Sequence, residues 1–200
     1  MLAMNHKTLR LLCIALAVVA LLGGYSASRL LQQRATGPQP SLGGDFTLQS
    51  NNGPVSLADL RGHVVAIYFG YTFCPDACPT SLTYLSMAMK RLTADQRQQV
   101  QAIFVSVDPQ RDTPQGLAEY VAHFDPRMLG LTGTADEIAD VARLYGIFYQ
   151  LHKAGEDDEF YLVDHTSRTY IVDRNGELIV PLQHGTSADD VAQVLRDALQ

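Results

Sequence analysis

The chain has 200 residues, enough for one compact domain with a tail and too few for two full domains. Hydrophobic residues make up 46% and charged residues 18%, which excludes wholesale disorder. The formal charge is −6; Lys7 and Arg10 are the only charges before Arg29, so the remainder carries −8 without a basic run, which excludes a nucleic-acid binder.

The chain opens with MLAMNHKTLR, two positive charges and no acid, and continues with LLCIALAVVALLGGY, uncharged as far as Ser28. That pattern predicts a signal anchor over residues 1–28, one transmembrane segment long enough to approach a bilayer span. By the positive-inside rule Lys7 and Arg10 stay cytoplasmic, and the rest of the chain faces the periplasm from the inner membrane. No cysteine of a lipobox follows the run, and no twin arginine precedes it. Gly24, Ser26 and Ser28 would permit cleavage; the length favours an uncleaved anchor. Residues 29–44, rich in Gly, Pro and Gln, read as a linker.

Residues 45–200 then read as one domain. GDFTLQSNNGPVSL predicts two short strands around Asn52–Gly53, and Ser56 caps a single helical turn. HVVAIYFGY, residues 63–71, is a buried central strand. Leu82, Leu85, Met89 and Leu92 recur on one helix face. QAIFVSV, residues 101–107, is a second buried strand. Helices are expected over 113–124 and 134–146, started by Thr113 and Thr134, with a short apolar stretch MLGL between them. FYQLHK and DEFYLVDHT suggest a hairpin across AGED; TYIVDRNGELIV is a hairpin turning at Asn175–Gly176, and a last helix begins near Ser187. This order predicts a thioredoxin-like α/β fold: a central mixed sheet flanked by helices, with an added β-hairpin.

Between the first central strand and the following helix lies YFGYTFCPDACPTSL. Cys74 and Cys78 enclose too short a loop to serve as a useful staple, since the chain entropy a disulfide removes grows with loop length. Cys13 belongs to the N-terminal apolar run. Each cysteine precedes a proline, which disfavours helical geometry and predicts Cys78 at the N-cap with Pro79 at the first helical position. Both sulfurs then face a helix N-terminus that favours thiolate. Thiol–disulfide exchange and soft-metal ligation both use a lowered thiol pKa. Thioredoxin-type oxidoreductases carry two residues between their cysteines and a neighbouring tryptophan; here there are three and no tryptophan. A peroxidatic TxxC is also missing, because Tyr71 stands three residues before Cys74. Two thiolates suit Cu(I), with a third ligand to be found elsewhere.

Among six histidines, His165 stands apart at the end of the strand DEFYLVDH. His63, His123, His152 and His184 read as surface, helix-end, hairpin and turn residues. The motifs GDFTL, FGYTFCPDACP, SVDPQRDTP, LTGT and DHTSRTYIVDRNG occur in one order over most of the exported domain. In these motifs the chain resembles the Sco/SenC family, copper chaperones of cytochrome c oxidase assembly. The resemblance implies one copper ion, as Cu(I) or Cu(II), bound by Cys74, Cys78 and His165. It implies transfer to the binuclear copper site of cytochrome c oxidase subunit II or another copper acceptor, a copper donor chaperone upstream and a thioredoxin-like reductant. Asp164 reads equally well as a partner that orients the imidazole and as a solvated loop acid; Asp76, Asp108 and Asp112 read equally well as turn and cap residues. The alternative is a thiol–disulfide reductase that keeps the acceptor's cysteines reduced, with Cys74 and Cys78 as its redox pair.

Overall fold

The computed structural model describes residues 22–25, 28, 42–155 and 160–200. The anchor expected over 1–28, the linker and the tip of the AGED hairpin fall wholly or largely outside these residues. Among the described residues no helix is long and apolar enough to cross a membrane. The chain divides into a unit before Leu42 and a folded unit of Leu42–Gln200, and the latter carries everything that follows.

A hairpin of β1 (Thr47–Ser50) and β2 (Gly53–Ser56) opens the folded unit and runs into a 3-10 turn, Leu57–Leu60, capped by the Ser56 hydroxyl. β3 (Val64–Gly70) is buried at every position, as a central strand covered on both faces must be. Helix α1 (Ala77–Lys90) and a short α2 (Ala94–Gln98) return the chain to β4 (Val100–Ser106), which pairs parallel with β3. α3 (Pro114–Ala122) leads to β5 (Leu129–Leu131), parallel to β4. α4 (Ala135–Tyr145) is followed by the hairpin β6 (Tyr149–His152) and β7 (Leu162–His165). β8 (Arg168–Val172), β9 (Leu178–Gln183) and α5 (Ala188–Ala198) complete the chain.

The main sheet runs β5-β4-β3-β8-β9, with β8 antiparallel to β3; β1–β2 and β6–β7 form separate two-stranded sheets. Strand alternation divides the core in two. Val64, Ala66 and Tyr68 face Leu82, Leu85, Met89, Leu117 and Leu195 from α1, α3 and α5. Val65, Ile67 and Phe69 face Ile138, Val141 and Tyr145 from α4, together with Leu48 and Val163. Helices on both faces of a mixed sheet, with β6–β7 added, are the expected architecture.

The helix starts follow local chemistry. Thr113 accepts from the Gly116 N–H with Pro114 behind it, Thr134 and Glu137 form a reciprocal capping box, and Ser187 accepts from Asp190. Two elements differ from expectation. MLGL contains a strand, β5, whose three residues are too few to show a period. Thr93 opens α2 with a second capping box formed with Gln96, in a polar segment without an apolar face.

Candidate metal centre

β3 ends at Gly70, and this position has to be glycine for a local reason. A Cβ there would lie 2.5 Å from the Cys78 sulfur, which packs against the end of the strand. The chain turns at Tyr71, whose carbonyl accepts the Cys74 N–H at 3.2 Å, and enters α1 with Asp76 at the N-cap.

Cys78 is therefore the second helical residue and Pro79 the third, two positions deeper than the prolines suggest. An absent N–H is harmless there, because the first-turn amides have no intrahelical acceptor in any case. The Asp76 carboxylate does not cap. The Cys74 sulfur stands before the helix instead and accepts the Cys78 N–H at 3.4 Å. The two cysteines thus occupy a turn and a helix start rather than one helix face, and both are free thiols.

His165 reaches them from β7. Its Nε2 is 3.4 Å from the Cys78 sulfur, and the ligand atoms of Cys74, Cys78 and His165 all lie within 4.8 Å of one another. The imidazole stands edge-to-face with Tyr68 and Tyr71, at ring-centroid distances of 6.3 Å and 5.7 Å. Its Nδ1 is buried and has no hydrogen-bond partner among the described residues.

Asp164 does not orient this ring. Its carboxylate accepts from His152 Nε2 at 2.8 Å on the outer face of the hairpin. Successive strand residues point to opposite faces, so residue 164 cannot share a side with 165. His184, read as a turn residue, meets the Ser81 hydroxyl on α1 at 3.0 Å.

The electrostatics of the thiols are unequal. The Cys78 thiol donates toward the Cys74 sulfur, and His165 and the amides of Cys78 and Asp76 add to it; together they hold the Cys74 thiol far below its ordinary pKa despite partial burial. The Cys78 thiol is pushed up by its hydrogen bond to Cys74 and by burial. The lowered thiol is thus on the partly buried cysteine and the raised one on the fully buried cysteine. Two soft sulfurs and one imidazole at this spacing can hold a soft metal ion; the same pair can exchange disulfides.

Beneath the cysteine loop lies a polar scaffold built from acids that read in the sequence as turn and cap residues. Asp112, buried on β4's far loop, accepts the Thr72 N–H at 3.0 Å and the hydroxyls of Thr72 and Ser106. Burial raises its pKa. Asp108 accepts the Tyr161 hydroxyl at 2.6 Å. Neither acid faces the sulfurs as a ligand. The spacing in SVDPQRDTP was the visible trace of this scaffold.

The sequence model of the SCO1/SenC family matches residues 34–200. The chain belongs to the SCO1/SenC family. It is 36% identical over 193 residues to an SCO2-like protein of Rickettsia conorii, covering 90% of this chain and 94% of that one. To the mitochondrial SCO2 homolog of Bos taurus it is 38% identical over 197 residues, covering 94% and 74%. Among solved family structures, Bradyrhizobium japonicum ScoI with copper bound superposes with a TM-score of 0.72 at 38% identity, over 80% of this chain and all of that one. Yeast Sco1 with copper bound gives 0.71 at 33% identity, over 78% and 88%. BsSco, a member of the Sco family of cytochrome c oxidase assembly proteins in which a disulfide switch has been identified, gives 0.62 at 28%, over 82% and 96%.

Proposed function

We propose that this chain is a copper metallochaperone that binds one copper ion through Cys74, Cys78 and His165 and delivers it to the binuclear copper site of cytochrome c oxidase subunit II. The carrying observation is the convergence of two sulfurs and one imidazole nitrogen within 4.8 Å, from a loop, a helix start and a remote strand. The copper-bound relatives support the choice of metal. Thiolates suit Cu(I), and an imidazole donor extends the set toward Cu(II). The N-terminal apolar run would hold the domain at the inner membrane facing the periplasm, where a copper donor chaperone and a thioredoxin-like reductant would meet it.

The second reading is a thiol–disulfide reductase for the acceptor's cysteines. The lowered pKa of the partly accessible Cys74 thiol, beside the buried Cys78, favours it. His165 separates the two. In the reduced full chain, held in detergent under anaerobic conditions, His165→Ala is expected to lose most of its copper affinity while the Cys74–Cys78 disulfide still forms and is still reduced. A variant that holds copper as the parent does overturns the three-ligand site. A parent that takes up almost no copper with both thiols reduced leaves the reductase.

A further inference from the structure

The three candidate ligands come from segments that share no backbone ladder. The cysteines follow β3 in the main sheet, whereas His165 ends a strand that pairs with β6 in a separate two-stranded sheet. β8, which starts three residues after His165, is laddered to β3 through Tyr68 and Thr169, so the main sheet holds the chain close to His165 but pairs neither His165 itself nor the cysteine loop.

One side chain from a third segment packs against residues that flank both. Arg111 donates through Nε to Asp108 Oδ2 at 2.6 Å and through Nη1 to the Tyr161 carbonyl at 2.9 Å. Its guanidinium carbon lies 3.5 Å from the centroid of the Tyr161 ring, 4.7 Å from that of Phe73 and 5.7 Å from that of Tyr71. Phe73 precedes Cys74, Tyr71 meets His165 edge-on, and Tyr161 leads into the strand that ends at His165. Asp108, fully buried, grips both Arg111 and the Tyr161 hydroxyl.

We propose that Arg111 is a positioning residue that fixes the distance between the cysteine loop and His165. The proposal rests on the reading of Cys74, Cys78 and His165 as a metal site. Arginine contributes no ligand, since it has no acceptor and stays protonated. A flat cation with a rigid fork bonds a carboxylate and a carbonyl in its plane while stacking on rings above and below. A lysine ammonium keeps the charge opposite Asp108 but supplies neither the fork nor the stack. An ion pair that served stability alone would be satisfied by that charge; a spacer would not.

The test uses the full chain in detergent with Arg111→Lys and Arg111→Ala, at one fixed pH. Metal-free and reduced, each variant is expected to shift and broaden the His165 ring signals in nitrogen-15 histidine spectra, while the His123 signals on α3 stay in place. Cu(II) affinity is expected to fall about tenfold to a hundredfold, the range for losing a group that orients a ligand. Arg111→Lys is expected to fold, with some loss in melting temperature from the Tyr161 carbonyl left without its donor, and it decides the question if Arg111→Ala does not fold. Parental ring signals and Cu(II) affinity within about twofold of the parent in Arg111→Lys overturn the proposal. A parent that binds no copper removes the metal reading, and the metal-free ring signals still test Arg111.

Discussion

Replacing Gly70 by alanine perturbs the site and the core at one atom. The new Cβ would stand 2.5 Å from the Cys78 sulfur, 3.0 Å from Phe104 Cε2 and 3.1 Å from Tyr68 Cε1, all on fully buried side chains. Ordinary contact begins near about 3.5 Å, so the sulfur or the strand end must move by about 1 Å. Overpacking of this kind costs about 1–3 kcal/mol. In a folded unit of this size each kcal/mol lowers the melting point by about 2–4 °C, giving a drop of about 2–12 °C. The same shift exceeds the roughly 0.5 Å within which a functional constellation must be held. Calorimetry on the reduced parent and Gly70→Ala measures the first effect, and anaerobic copper titration the second. A variant that melts within about 1 °C of the parent and takes up copper equally well refutes the close-approach reasoning.

Asp112→Asn removes a carboxylate that accepts three hydrogen bonds under the cysteine loop. A loss of about 1–3 kcal/mol is expected from the groups left unpaired, read from urea midpoints; a midpoint equal to the parent's counts against the scaffold role. The folded Cys74 pKa is lowered, so its stabilisation is complete above the unfolded thiol's pKa and is lost as pH falls toward the folded value. Between about pH 6 and 8 the reduced chain should therefore gain stability with rising pH, a gain that Cys74→Ser abolishes. Alkylation of Cys74 should stay nearly flat over that window while Cys78 is spared; a rise of about tenfold per pH unit would show an ordinary thiol.

Much of this was legible in the chain because the signals were local. Thr113, Thr134 and Ser187 mark helix starts through contacts three residues long, and the apolar runs of β3 and β4 announce buried strands. β5 was not, since three residues cannot display a period and its existence depends on the edge of β4. The site's ligands were readable through their motifs, but their supports were not. Thr72 and Asp112 are forty residues apart, and Arg111 and Tyr161 fifty, so only folding makes them neighbours. Asp164 was open to two readings, orienting partner or solvated acid, and period-two alternation decides for the second by placing it on the opposite side from His165.

The unequal exposure of the two sulfurs gives the site a direction of approach. Cys78 has no accessible surface, whereas Cys74 keeps part of its own. Were the pair oxidised with this packing kept, a solvent-borne thiolate would meet the Cys74 sulfur first and Cys78 would leave. The packing at Gly70, which keeps the Cys78 sulfur covered, is what gives the two sulfurs this inequality.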